Sequence, residues 1–346
     1  MKVAIVGYGG QGAWHGEYIL ASDVVELAGI YDIKEERCEL ARSKGIKVYG
    51  SFEELAADKS VDIVLVATPN DSHKEYTIKS LKSGKNVICE KPVEMSAAAF
   101  DEMCAAAKES GKLFSVHQNR RWDSDFLMVK RTIESGEIGG TIRIESRVHG
   151  SRGIPGDWRQ KKECGGGMIL DWGVHLIDQM LQLIPSKITG IFCTTTHITN
   201  AEVDDGFYLE IFFEDGVSAH VEVGTYNFLS MPRFYMLCEG GSLITNGWND
   251  PAHVAKMHTW NEKQIVPVQT ASGITKTMAP RDDVTLDEYD IPSPESDVHD
   301  YYRNFTRAAR GLEESAIKHA EVRRVLRVME TAFESAEKKQ YISVEI

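Results

Sequence analysis

Apolar residues follow two rhythms along this chain, and the rhythm changes once. Over the first 120 residues, short Val- and Ile-rich runs alternate with stretches of helical period. Segments 2–6, 25–31, 61–67, 86–89 and 113–117 read as strands, and their lack of strict polar alternation marks strands covered on both faces. Between them, 12–22, 35–43, 73–83 and 97–110 carry the helical pattern. Strand and helix alternating at this spacing predict βαβ units and a doubly wound parallel sheet. Past residue 121 a helix at 125–135 leads to longer β-type runs at 141–149, 188–198, 206–213, 217–224 and 234–238. Glu214-Asp215-Gly216 sits between two of these runs as a hairpin turn, because Asp-Gly reaches positive φ at little cost. The second half therefore reads as an α+β domain with a large, mostly antiparallel open sheet. One helix, 167–183, interrupts the strands, and two more, 297–311 and 317–339, end the sequence. The expected division is 1–121 and 122–346, with the last helices free to pack back on the first domain. Residues 246–295 are rich in Pro, Asp and Thr and give no clear period; a part in substrate choice or assembly is expected of them.

Composition narrows the function. The formal net charge of −13 argues against nucleic acid, whose readers carry a basic stripe. No apolar run approaches the roughly 18 residues that a membrane span requires. The N-terminus enters a strand at once without the shape of a signal peptide, so the mature protein is expected to begin there. Six cysteines lie scattered, with neither a Cys-x-x-Cys pair nor metal-ligand spacing, which fits reduced thiols in a cytoplasm and no metal centre.

Gly7-Tyr8-Gly9-Gly10-Gln11-Gly12 is a G-x-G-x-x-G that follows the first strand directly and opens a helix, with Asp32 ending the next strand. In that context the glycines permit a tight turn and let backbone N–H groups approach a pyrophosphate at a helix N-terminus. Asp32 is placed to accept hydrogen bonds from an adenosine ribose and to repel a 2′-phosphate, which favours NAD; Lys34 and Arg37 lie close enough to admit NADP. The competing reading makes Asp32 a plain helix cap. Thr68-Pro69-Asn70 follows the third strand at the edge where open α/β sheets bind ligands. From there Asn70 and His73 either reach a ribose or nicotinamide or cap the next helix. His117 and Asn119 close the fifth strand on the same crevice.

Two further segments carry candidate chemistry. Cys89-Glu90-Lys91-Pro92 closes the fourth strand, and a lysine there needs a carboxylate or ligand facing it if it is buried. Gly165-Gly166-Gly167 leads into a helix bearing Asp171 and His175, whose i, i+4 spacing sets both on one face. A carboxylate beside an imidazole orients it and raises its basicity. Read singly, Lys91 is also an exposed strand-end lysine and the pair a surface ion pair. The glycines either let a substrate approach the backbone or permit a turn. Upstream, Trp158 is suited to stack on a sugar face and Arg159 to bind hydroxyls or a carboxylate, loop packing being the other reading; Arg121 is a similar candidate at the domain junction.

Taken in order, the Gly7–Gly12 loop with His15, Thr68-Pro69-Asn70 with His73, Glu90-Lys91-Pro92, and Gly165-Gly166-Gly167 with Asp171-x-Gly173-x-His175 resemble the Gfo/Idh/MocA oxidoreductase family over essentially the full chain. The resemblance implies an N-terminal Rossmann domain and a C-terminal α/β domain whose open sheet forms a homodimer or homotetramer interface. It implies that Lys91, Asp171 and His175 surround the reacting carbon, that Glu90 and Asn119 neighbour the cofactor, and that the substrate is a small sugar or cyclitol. The expected reaction is oxidation of a hydroxyl by hydride transfer to nicotinamide, with His175 as base, Asp171 orienting it and Lys91 hydrogen-bonded to the oxygen. Two rivals stay open: a redox-neutral enzyme using resident NAD for elimination, hydrolysis or epimerisation, and a nucleotide sensor without catalysis. A sensor has no need of Lys91, Asp171 and His175 together.

Overall fold

The structure, a computed structural model, describes residues 1–259, 265–282 and 284–346. Its first half runs β1 (Lys2–Val6), α1 (Gly10–Leu20), β2 (Glu26–Tyr31), α2 (Glu35–Ser43), α3 (Phe52–Ala57), β3 (Ile63–Val66), α4 (His73–Lys82), β4 (Asn86–Cys89), α5 (Ala97–Ser110) and β5 (Phe114–Val116). The five strands are all parallel, in the order β2-β1-β3-β4-β5. Every residue of β3 (Ile-Val-Leu-Val) is buried, because helices cover both faces of the sheet. That arrangement agrees with the expected doubly wound sheet.

The second half contains α6 (Ser124–Ser135), β6 (Thr141–His149), a π-helical turn at Ile169–Gly173, α7 (Val174–Leu183), β7 (Ile188–Thr196), β8 (Gly206–Phe213), β9 (Ser218–Gly224), β10 (Phe234–Cys238), β11 (Gly241–Thr245), β12 (Ala252–Met257), β13 (Val268–Thr270), β14 (Gly273–Thr275), β15 (Leu286–Ile291), α8 (Asp300–Ala309), α9 (His319–Lys338) and β16 (Ile342–Ser343). Nine of these strands form one sheet, ordered β15-β12-β11-β10-β6-β9-β8-β7-β16. It is antiparallel except at its centre, where β6 and β9 run parallel because α7 and two strands intervene between them. The Asp215-Gly216 hairpin forms as expected, with Gly216 at φ +86°. In β7 and β8 buried Ile191, Cys193, Leu209 and Ile211 alternate with exposed Phe192, Tyr208 and Phe212, so one face packs on α7 and α9 and the other is open.

Residues 246–295 are less irregular than their composition suggests. β12 and β15 extend the large sheet, and β13 with β14 makes a separate hairpin. Residues 260–264 and 283 of that stretch lie outside the described residues.

Candidate active site

A cleft of about 1340 Å³ opens along the carboxyl ends of β1 to β4, the edge where parallel sheets bind ligands. Its far wall is the segment Gly156–Lys161 with Asp171, so both halves of the chain line it. At one end lies the glycine loop. Gly7 sits at φ +89°, and a Cβ there would come within 2.7 Å of the Ala67 carbonyl oxygen. A Cβ on Gly12 would collide with the Gly7 carbonyl, so these two glycines exist to close the turn. Gly9 and Gly10 differ: a Cβ on either meets nothing within 4 Å, and both line the cleft with Gln11. Gly9 caps α1 without any side-chain acceptor, leaving the first-turn N–H groups directed at that space. The cradle fits a dinucleotide pyrophosphate.

Asp32 lines the same end beside Lys34 and Arg37. Its carboxylate accepts hydrogen bonds from the Tyr8 amide at 2.6 Å and the Lys34 amide at 2.8 Å. It therefore ties the glycine loop to the end of β2, and the cap position of α2 falls to Lys34 instead.

Thr68, Pro69 and Asn70 also line the cleft. Asn70 is 2 % exposed and donates from Nδ2 to the Gly165 carbonyl at 3.0 Å, bridging the loop after β3 to the triple-glycine segment. His73 is buried, with Nδ1 3.0 Å from the Pro92 carbonyl and Nε2 2.9 Å from that of Thr68. Its ring holds two crevice loops together, and the residue also lines the cleft beside Thr68 and Asn70. Asn119, at the start of a short 3-10 turn, is half-buried and is not among the residues lining the cleft.

At the other end Lys91 and Asp171 meet. Lys91 Nζ donates to the Asp171 carbonyl at 3.0 Å and to its carboxylate at 3.2 Å; the two side chains are 16 % and 13 % exposed. Arg159 reaches the other carboxylate oxygen from Nε at 3.2 Å, pairs with Asp157 and stacks on Trp158 at 4.7 Å. Burial alone would raise the Asp171 carboxyl, but Lys91 and Arg159 outweigh it and hold it below the ordinary value. The aspartate is thus spent on two cations, and no hydrogen bond joins it to His175. Helical spacing put the pair on one face, but charge-assisted bonds to Lys91 and Arg159 are the stronger claim on a carboxylate. His175 is buried, with Nδ1 free of any partner among the described residues. Burial, then the charges of Lys91 and Arg120, push its ring well below the ordinary histidine value.

The three glycines serve close packing. Gly165 at φ +72° lies against Asn70, a Cβ on Gly166 would strike the Arg159 carbonyl, and one on Gly167 at φ +100° would strike the Asp204 carboxylate. Asp204 in turn accepts from the Met168 and Ile169 amides at 2.9 and 2.8 Å, capping the helix that carries Asp171. Arg121 corrects the expected substrate contact and is not among the residues lining the cleft. Its guanidinium is 7 % exposed and engages Asp178 at 2.6 and 2.7 Å, Glu321 at 2.7 Å and the Ala316 carbonyl at 3.1 Å, leaving nothing for a substrate. The residue beside it was missed. Arg120 lies between Trp172 at 4.4 Å and Trp248 at 4.9 Å, close to His175, a stack drawn from three distant segments with no shared sequence signal.

Below the cleft floor three buried groups converge. His15 Nε2 is 2.6 Å from Glu90 Oε1, and His117 Nδ1 comes within 2.8 Å of the same oxygen without aligning as a hydrogen bond. Among the described residues these three alone offer metal-ligating atoms within 4.8 Å of one another. His15 is already committed to Glu90 through Nε2 and to the Tyr302 hydroxyl at 2.5 Å through Nδ1.

Comparison with known proteins settles the lineage. Residues 1–118 match the model of an oxidoreductase family with an NAD-binding Rossmann fold, and residues 126–244 match the GFO/IDH/MocA C-terminal domain. The chain belongs to the Gfo/Idh/MocA oxidoreductase family. Among its relatives is a crystal structure of an NAD-binding protein from Listeria innocua, 42 % identical with a TM-score of 0.95 and 99 % of each chain covered. The scyllo-inositol 2-dehydrogenase (NADP(+)) IolW of Bacillus subtilis is 29 % identical over 100 % of this chain and 96 % of its own. The myo-inositol 2-dehydrogenase of Thermotoga maritima is 30 % identical over 59 % of this chain and 60 % of its own. Membership of the Gfo/Idh/MocA family makes residues 1–118 an NAD(P)-binding Rossmann domain. No helix among the described residues is long and apolar enough to cross a membrane.

Proposed function

We propose that this protein is an NAD(P)-dependent dehydrogenase that oxidises a secondary hydroxyl of a sugar, sugar derivative or cyclitol. The observation carrying the reading is the placement of Lys91. Its ammonium is pinned by Asp171 in the cleft that also holds the glycine cradle and Asp32, beside a buried and neutral imidazole. The inositol dehydrogenases among the relatives support a polyol substrate. Asp32 supports NAD over NADP through its charge at the ribose end, while Lys34 and Arg37 beside it temper that preference.

A bound nicotinamide supplies the acceptor for the hydride. Lys91 donates a hydrogen bond to the hydroxyl oxygen as it becomes a carbonyl, and His175 takes the hydroxyl proton. Asp171 keeps Lys91 in place, and through Arg159 it fixes the cleft wall against which the substrate lies. Proton handling of this kind is worth about a hundred- to ten-thousand-fold in rate, and holding the reactants in register supplies a further share. The exposed face of the nine-stranded sheet, bearing Phe192, Tyr208 and Phe212, supports assembly as a homodimer or homotetramer.

The test is the appearance of reduced nucleotide when purified protein receives NAD, or NADP in parallel, with a panel of aldoses, glycosides, sugar acids and inositols. Turnover with one group is expected. No turnover with any of them, together with nucleotide released only on denaturation, would replace this reading with redox-neutral chemistry on a resident cofactor.

A further inference from the structure

Lys91 is held from across the cleft, and by main chain as much as by side chain. Its ammonium donates to the Asp171 carbonyl at 3.0 Å as well as to the carboxylate. Where that carbonyl points is set by the backbone of the π-helical turn Ile169–Gly173, in which hydrogen bonds join residues five apart rather than four. A change of phase at the start of this helix is therefore passed on to Lys91, whatever the Asp171 side chain does.

The start of the helix is fixed by Asp204, from the loop between β7 and β8. Asp204 is 5 % exposed, and one oxygen of its carboxylate accepts the Met168 amide at 2.9 Å and the Ile169 amide at 2.8 Å. Its main-chain carbonyl accepts the Met168 amide as well, at 3.0 Å. Its other carboxylate oxygen lies against Gly167, where any Cβ would strike it, so the chain enters the helix pressed on the carboxylate. Asp205, next in sequence, fastens Asp204 to the ends of β7 and β9. The Asp205 carboxylate accepts from the Thr196 hydroxyl at 2.8 Å and the Thr199 hydroxyl at 3.0 Å, and its carbonyl accepts from the Thr225 hydroxyl at 2.7 Å. The helices α3 and α5 are capped locally, by Ser51 and Ser96. The site helix instead takes its first hydrogen bonds from a carboxylate belonging to the large sheet. One series of bonds thus runs from that sheet through Asp205 and Asp204 to the π-helical turn, the Asp171 carbonyl and Lys91 at the end of β4.

We propose that Asp204 is a positioning residue for the reaction: it sets the phase of the π-helical turn and so aims the Asp171 carbonyl and carboxylate at Lys91. The inference rests on the reading that Lys91 takes part in the chemistry.

The experiment compares Asp204→Ala, Asp204→Asn and Asp204→Glu with wild type by two readouts. One is the rate at which trinitrobenzenesulfonate modifies Lys91, followed by peptide mass spectrometry. Lys85 is the internal control for general loosening, since it is buried on the Asp58 and Val61 carbonyls and has no tie to the site helix. The other is kcat, with KM and nucleotide affinity. Asp204→Ala should raise Lys91 labelling about tenfold with Lys85 unchanged, and lower kcat about ten- to a hundredfold while nucleotide affinity holds. Asp204→Asn keeps an oxygen in place and should recover most of both; Asp204→Glu keeps the charge but moves the oxygen by a methylene, and should not. A lowered Tm with labelling and kcat as in wild type would overturn the proposal, as would Lys91 and Lys85 labelling that rise together. Where Asp204→Ala fails to fold, the other two variants decide: a Glu variant like wild type, or an Asn variant as impaired as the Glu one, overturns it. Labelling needs no turnover. A protein that oxidises none of the sugars yet frees Lys91 on losing Asp204 would discard the dehydrogenase reading and keep this tie, whereas an active enzyme with unaltered labelling would discard this inference alone.

Discussion

Lys91 and His175 are held in opposite ways, and that contrast assigns their chemistry. Lys91 is fixed by a carboxylate and a carbonyl of the same residue, so its charge and direction are set before any substrate arrives. The His175 ring is buried but uncommitted at Nδ1, whereas both ring nitrogens of His15 and of His73 lie against structural partners. Replacing either with alanine should lower kcat by about a hundred- to ten-thousand-fold, with nucleotide affinity retained; near-normal turnover in both variants would remove them from the chemistry. The pH dependence follows from the direction of the His175 shift. Burial and the neighbouring cations depress its folded-state value below the ordinary 6.5, so the neutral, proton-accepting form persists as pH falls through 6.5. The profile of kcat/KM should accordingly stay flat from about pH 8 to below 6. An acid limb centred near the ordinary histidine value would show that His175 is not the base.

Between elements, the ties that hold the cleft in shape are made by residues whose motifs suggested chemistry. Asn70 joins the loop after β3 to the triple glycine, Asp204 caps the helix bearing Asp171, and Arg121 clamps α7 to α9 through Asp178 and Glu321. Arg121→Ala strands Asp178, which is 2 % exposed, as a buried carboxyl without its counter-charge. A loss of about 3–5 kcal/mol is expected, read as a fall in Tm, with KM for substrate little changed in the folded fraction. A raised KM at undiminished Tm would instead return Arg121 to the substrate site. The elements themselves were largely legible: β1, α2, β4, α5, β6, β8 and β10 lie where hydrophobic period placed them, because each buries a face on a sheet. β11, β12 and β15 were not legible: the three strands are only five or six residues long, and in β11 and β15 half or more of the residues are polar or glycine, so no period stands out. The glycine loop and Lys91 could be read because backbone geometry leaves few alternatives. The partners of Asp171, Arg121 and His73 could not, since a carboxylate or imidazole bonds whatever tertiary packing brings nearest, and sequence spacing records only its own helix.

On the scale of the whole molecule, the chain leaves the parallel sheet, builds the large one, and then returns. α8 and α9 are the last helices in sequence but complete the interior of the first 121 residues. Tyr302 bonds His15, the His299 ring lies 3.1 Å from the Tyr18 carbonyl, the His319 ring 2.9 Å from that of Phe114, and Glu330 accepts from the Ala97 amide at 2.8 Å. The His319 ring also packs on Phe100 and Phe114, both buried. Cutting the chain at 121 would expose those aromatic rings to water and leave His15 and the Glu90 cluster without Tyr302. Each buried polar group so orphaned costs about 1–3 kcal/mol, a large share of the 5–15 kcal/mol by which domains are stable. Two sheets sharing such a seam should unfold together. Scanning calorimetry of the full chain is expected to give one cooperative transition, and a fragment of residues 1–121 should melt well below it. Two resolved transitions, the first-sheet one matching the isolated fragment, would show instead that the returning helices add nothing to the stability of the nucleotide-binding half.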